Sequence, residues 1–310
     1  MRRALAVLGA AAMVAAALAV RSALDDEGGE RASESAGGVV VCSVDLLEYC
    51  EALPGSVEVR AETAAVVADA LTGGSLASDV DAWVTSAAWL EVVSGRRPDA
   101  FGEARPLGRS RVVVAAAPGR ADALGQLCGR EDVWACLGGA VGRSWGPDLG
   151  AGDPAWRELA VGLRDPDGAT GLSVLMSAAV GWFDGTGFAA NDLDVDFTDF
   201  LARLAAASEG DEEPARTMAV RPGQYSAAGT VAQVVDRLGA RGVAAVEPTV
   251  DVEAVVVAVP LTGRSLPSLD GIEAALRGDG WRDATDDDLA PTLKTGVLAA
   301  LHSLWEDVSP

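Results

Sequence analysis

Two long apolar runs constrain this chain more than any other feature. Val112-Val113-Val114-Ala115-Ala116-Ala117, entered from Arg111 and closed by Pro118-Gly119, carries no charge, and neither does Ala254-Val255-Val256-Val257-Ala258-Val259-Pro260-Leu261. Short runs rich in valine and bounded by turn residues predict strands buried on both faces, as in a sheet with helices packed on either side. The two runs bracket a middle block and leave an N-terminal block and the C-terminal helices outside it. A chain that passes twice between two lobes, once on each strand, accounts for that layout.

The segments before the first run agree with a helix-covered sheet. Val39-Val40-Val41-Cys42 feeds a helical pattern through Leu46, Leu47 and Cys50. Val57–Arg60 precedes a helix from Thr63 to Leu71, and Asp81-Ala82-Trp83-Val84 precedes one through Trp89, Leu90 and Val93. Three strand–helix units in succession predict an α/β fold with a parallel sheet. Gly95–Gly108 reads as a loop. In the middle block the pattern predicts a helix near Ala121–Leu127, a strand over Glu158–Leu163, a helix from Asp194 to Ala207, a strand over Thr217–Val220, a helix over Ala227–Leu238 and a strand over Val243–Val246. Lys294 is expected in a C-terminal helix.

Ahead of the domain, Met1-Arg2-Arg3 and the uncharged stretch Ala4–Val20 have the pattern of a secretory signal, and Ala17-Leu18-Ala19 offers a cleavage site. The same stretch, 1–20, reads equally as an uncleaved N-terminal membrane anchor. Residues 21–37 form a flexible acidic linker. One lobe is expected to comprise 38–114 and 254–310, the other 115–253, with the whole on the extracellular face of the envelope, secreted or anchored. Four cysteines fall as two close pairs, Cys42 with Cys50 and Cys128 with Cys136. They allow three connectivities, of which an exported chain is expected to form the local one.

Composition excludes several function classes. With 24 Lys and Arg against 46 Asp and Glu, a formal charge of −22 repels nucleic-acid phosphates. A single histidine, His302, rules out a His-rich metal cage, and it reads as a packing or surface residue on the last helix. Asp286–Asp288, Asp211–Glu213 and the alternating Asp192, Asp194 and Asp196 lack the spacing of a calcium loop. No nucleophile elbow or lysine-bearing phosphate loop occurs, so no cofactor and no enzymatic activity are expected.

The segments Val39–Ser43, Asp79–Thr85, Arg111–Pro118, Asp165-Pro166-Asp167-Gly168-Ala169-Thr170-Gly171-Leu172 and Tyr225–Thr230, in this order, resemble the bacterial extracellular solute-binding proteins of the type II periplasmic-binding fold. The resemblance covers roughly residues 38–310. It implies a two-lobed molecule that closes over a small polar ligand by hinge motion of two crossing strands. It also implies a monomer that serves as receptor of an ABC-type importer, or as a tethered sensor, with a permease or another envelope protein as partner.

Ligand contacts are then expected at strand C-termini and helix N-termini. The candidates are Ser43, Thr63, Ser86, Thr170, Gly171, Tyr225 and Thr230, although a Ser or Thr in such a place serves equally as a helix cap. Glu62 is expected to face the cleft and repel anions, which disfavours phosphate, sulfate and molybdate. Of the eight tryptophans, Trp83 and Trp134 read as core, and Trp89, Trp145 and Trp182 as candidate stacking platforms. An interaction module on the same fold, with no small ligand, is the alternative; an envelope hydrolase is a third.

Overall fold

The computed structural model describes residues 38–208, 213–290 and 292–309. The expected signal or anchor and its linker lie outside the described residues. Among the described residues, no helix is long and apolar enough to cross a membrane.

The chain runs through β1 (Val39–Ser43), α1 (Leu47–Cys50), β2 (Glu58–Glu62), α2 (Ala64–Gly73), β3 (Val80–Ser86) and α3 (Ala87–Ser94) before β4 (Arg105–Ala116). The middle block holds α4 (Pro118–Cys128), α5 (Val133–Ala140), β5 (Val161–Leu163), α6 (Gly171–Trp182), α7 (Val195–Ser208), α8 (Pro214–Val220), β6 (Ala227–Val231), α9 (Ala232–Leu238) and β7 (Ala244–Val246). The chain returns on β8 (Glu253–Pro260) and ends with α10 (Asp270–Gly278) and α11 (Val297–Val308).

Strand order is β2-β1-β3-β8-β4-β6-β5, with β7 also on β4. The first three strands are parallel, as the repeated strand–helix pattern requires. β4 is the strand that joins the two halves. Its first part, Arg105–Arg111, pairs with β8, and from Val112 to Ala116 it pairs with β6, so the partner changes at Arg111/Val112. The apolar stretch Val112–Ala116 and β8 from Ala254 to Val259 are buried, which explains why both runs exclude charge.

Three expectations for the middle block are corrected. Thr217–Val220 is the end of helix α8, whose first residue is Pro214; proline suits that position because its missing N–H costs no helical bond. Ala227–Val231 is a strand and only Ala232–Leu238 is helical. Alanine favours helix, but this segment is wholly buried, and at Gly229 a Cβ would lie 2.6 Å from the Trp134 ring and from Val174. Packing therefore overrides propensity there. Strand β5, Val161–Leu163, is shorter than the expected Glu158–Leu163. Elsewhere, Arg105–Gly108 already belongs to β4 rather than to a loop, and Lys294 precedes α11 instead of lying in it.

Both local disulfides are present, Cys42–Cys50 and Cys128–Cys136. The first encloses the turn that leaves β1.

Candidate functional site

The C-terminal ends of β1, β2 and β3 lie along one edge of the sheet, with Ser43 in register with Glu62 and Cys42 with Val84. Helices α2 and α3 start from this edge. Against it lies the segment Asp165–Thr170 from the middle block, folded by Asp165-Pro166-Asp167-Gly168 into a turn in which the Gly168 N–H donates to the Asp165 carbonyl at 3.1 Å. Proline second and glycine fourth suit such a turn. At Gly171 a Cβ would lie 1.7 Å from the Asp165 carbonyl oxygen, so only glycine lets the turn fold back onto the start of α6.

The contacts between edge and turn run in both directions. From the edge, the Ala65 N–H donates to the Asp167 carbonyl (3.1 Å), the Trp89 indole N–H to the Gly168 carbonyl (2.9 Å) and the Ser86 hydroxyl to the Ala169 carbonyl (2.5 Å). From the turn, the Ala169 and Thr170 N–H groups and the Thr170 hydroxyl all donate to the carboxylate of Asp45, at 2.9, 3.0 and 2.9 Å. The first N–H groups of a helix have no partner within it and carry partial positive charge, so a carboxylate suits the start of α6.

A buried charge network continues from Asp45. The Arg164 side chain, 11% exposed, lies 3.6 Å from Asp45 and bonds to Glu213, which in turn accepts from the Thr230 hydroxyl at 3.1 Å. Burial works against the Arg164 charge, but the carboxylates of Glu213 and Asp45 outweigh it and hold its pKa above the ordinary value. On the far side of the turn, the His302 ring lies 2.8 Å from the Asp167 carboxylate and packs edge-on against Trp89. A pocket of about 80 Å³ remains between these groups, lined by Val44, Asp45, Thr63, Arg164, Asp165 and Gly168. With about 30 Å³ per water molecule, it admits a few waters or a solute of comparable size.

The expected site residues divide accordingly. Thr63 lines the pocket and also caps α2 by accepting the Val66 N–H. Ser86 and Thr170 do not cap their helices; each gives its hydroxyl to the facing segment, Ser86 to the Ala169 carbonyl and Thr170 to Asp45. Ser43 is fully buried, and its hydroxyl has no hydrogen-bond partner. Gly171 supplies space for backbone. Thr230 lies within β6 rather than at a helix mouth and reaches the pocket only through Glu213 and Arg164. Tyr225 precedes that strand, is buried, and its carbonyl accepts from Arg120.

Glu62 is exposed at the end of β2 and does not line the pocket, so the acid facing the helix start is Asp45. Trp83 and Trp134 are core, as expected, and Trp89 and Trp145 are buried as well. Trp182 stacks on Phe200. Sequence reasoning missed Asp45, Arg164 and Glu213. The one available signal was an acid two residues beyond a strand end, inside a short disulfide loop.

Neither a protein-family model nor a curated protein matches the chain. Solved structures do match it. Iron-bound HitA from Pseudomonas aeruginosa aligns over 88% of this chain and 100% of its own, at 15% identity and a TM-score of 0.52. The ferric binding protein from Campylobacter jejuni aligns over 87% and 96%, at 9% identity and a TM-score of 0.51. Identities this low establish a shared fold. The chain has the two-lobed α/β architecture of the type II periplasmic binding proteins, with β4 and β8 as its crossing strands.

Proposed function

We propose that this chain is an exported, non-enzymatic solute-binding protein that closes its two lobes over a small polar solute, as receptor of an importer or as a membrane-tethered sensor. The observation that carries this reading is convergence. Thr63 at the start of α2, Arg164, and Asp45, which accepts from the Ala169 and Thr170 N–H groups at the start of α6, line a single pocket, and the start of α3 bonds to the same turn. We place the lobes at 38–114 with 254–310 and at 115–253, close to the partner change in β4, so that bending of β4 and β8 would open the pocket. Ser86, Thr170 and Thr63 are the proposed direct contacts, with Ser43 beneath them. Thr230 supports Arg164 through Glu213.

Iron, named for both neighbours, is not the solute proposed here. Arg164 stands beside Asp45 and would oppose a cation, and among the described residues no group of three or more His, Cys, Asp or Glu gathers to hold a metal ion. Hydrolysis finds no support in Asp45, whose carboxylate is engaged by the start of α6.

A thermal-shift screen of the full chain against small carboxylates, inorganic oxyanions, amino acids, sugars and polyamines tests the reading. A solute that binds only the folded state at a hundredfold excess over its Kd adds about 2.7 kcal/mol. At least one class is expected to raise Tm. A flat response across all five contradicts solute binding and favours the second reading, a protein-interaction module. That reading draws on one observation: the donors of Ala65, Ser86, Trp89, Ala169 and Thr170 are already satisfied by the chain itself.

A further inference from the structure

We infer that Asp45 is a tethered ligand: its carboxylate latches the cleft shut in the free chain, and the solute that enters is a small carboxylate or comparable oxyanion that takes its place. This rests on the proposed solute-binding role and specifies the solute class and its control. Three donors from one side, the Ala169 N–H, the Thr170 N–H and the Thr170 O–H, converge on one carboxylate from the other, with the Arg164 guanidinium 3.6 Å away. That is the surrounding a free carboxylate takes at the start of a long helix beside an arginine.

The opposite wall has the same character. Ala65, Ser86 and Trp89 all donate to carbonyls of the turn, so the sheet edge meets it with donors filled by acceptor oxygens. The Ser43 hydroxyl, two residues before Asp45, is fully buried and has no hydrogen-bond partner. With Asp45 displaced, the start of α6 and Arg164 offer donors, which select a ligand made of acceptors. The chain is also shaped to hold its own carboxylate there. Cys42–Cys50 closes the loop that carries Asp45, and at Gly168 a Cβ would lie 3.3 Å from the Asp45 carboxyl.

The test is residue-resolved hydrogen exchange on the full chain, comparing wild type, Asp45→Ala and Asp45→Asn with sodium formate or sodium chloride at equal ionic strength. Formate is the group that Asp45→Ala removes. The decisive amide is Ala65, which does not touch Asp45 but is protected by the docked turn. In Asp45→Ala, exchange at Ala65, Ala169 and Thr170 is expected to accelerate at least tenfold while the β4 amide of Val113 stays protected. Formate, and not chloride, is expected to restore protection, and at a concentration at least tenfold below any that alters wild type. If Val113 also loses protection, the same comparison is read in Asp45→Asn, which keeps the side chain's size. An Ala65 amide that stays protected in the folded variant, or formate acting no better than chloride, overturns the inference. If the latch opens and formate recloses it, but no solute class stabilises wild type, the latch stands and the solute-binding reading falls.

Discussion

Replacing Arg164 with methionine isolates the charge network beside the pocket, and its cost can be worked from the geometry. The arginine and its two carboxylate partners are 11–13% exposed, so water screens them poorly. At an effective dielectric constant near 20, the 3.6 Å attraction to Asp45 alone is about 4–5 kcal/mol before desolvation is counted. Removing one partner of a buried pair costs about 3–5 kcal/mol, because the other charge stays behind uncompensated. Here the lower end applies, since Asp45 keeps three donors at the start of α6 and Glu213 keeps Thr230. A loss of about 3 kcal/mol in urea unfolding at pH 7.5 is expected for Arg164→Met.

A deficit under about 1 kcal/mol at pH 7.5 refutes the reasoning from burial and charge.

Other perturbations test neighbouring parts of the account. Gly171→Ala drives a methyl group into the Asp165 carbonyl and is expected to cost about 3 kcal/mol or more, read by thermal unfolding. Each disulfide joins cysteines separated by 8 positions, so Cys42→Ala/Cys50→Ala and Cys128→Ala/Cys136→Ala should each lose about 2.5 kcal/mol on the chain-entropy model. Only the first pair should also accelerate exchange at Ala169 and Thr170. Burial pushes the half-buried Glu91 carboxyl up to about 7, so wild-type stability should fall as pH rises from about 4.5 to 7. Glu91→Gln should remove that slope and gain about 1 kcal/mol at pH 8 after allowance for solvent screening.

What the sequence discloses here is what local pattern controls. The valine-rich runs mark β4 and β8 because a strand with both faces buried cannot carry charge. The cysteine pairs are legible because their partners lie close in the chain. The β6 segment is misleading because Ala227 and Ala228 favour helix in isolation, while the close approach of Trp134 and Val174 to Gly229 is a tertiary fact. Pro214 gave a usable sign for α8, outweighed by the β-forming Thr217 and Val220. The site shows the same division. Ser86 and Thr170 are found from their place at helix starts, whereas no local pattern tells Asp45 apart from an ordinary first-turn acid. Its donors at Ala169 and Thr170 are 124 and 125 residues away in the chain. Arg164 and Glu213 escape notice for the same reason, since a salt bridge between two loops leaves no periodicity.

The most direct test of the central claim is a calorimetric titration of the full chain with the solute that most raises its Tm, repeated for Thr170→Ala and for Glu131→Gln, the latter an exposed residue outside the pocket. One saturable site per chain is predicted, weakened at least tenfold by Thr170→Ala and unchanged by Glu131→Gln. No saturable heat, or equal affinity in wild type and Thr170→Ala, would contradict the claim that the cleft between the lobes is where this protein works.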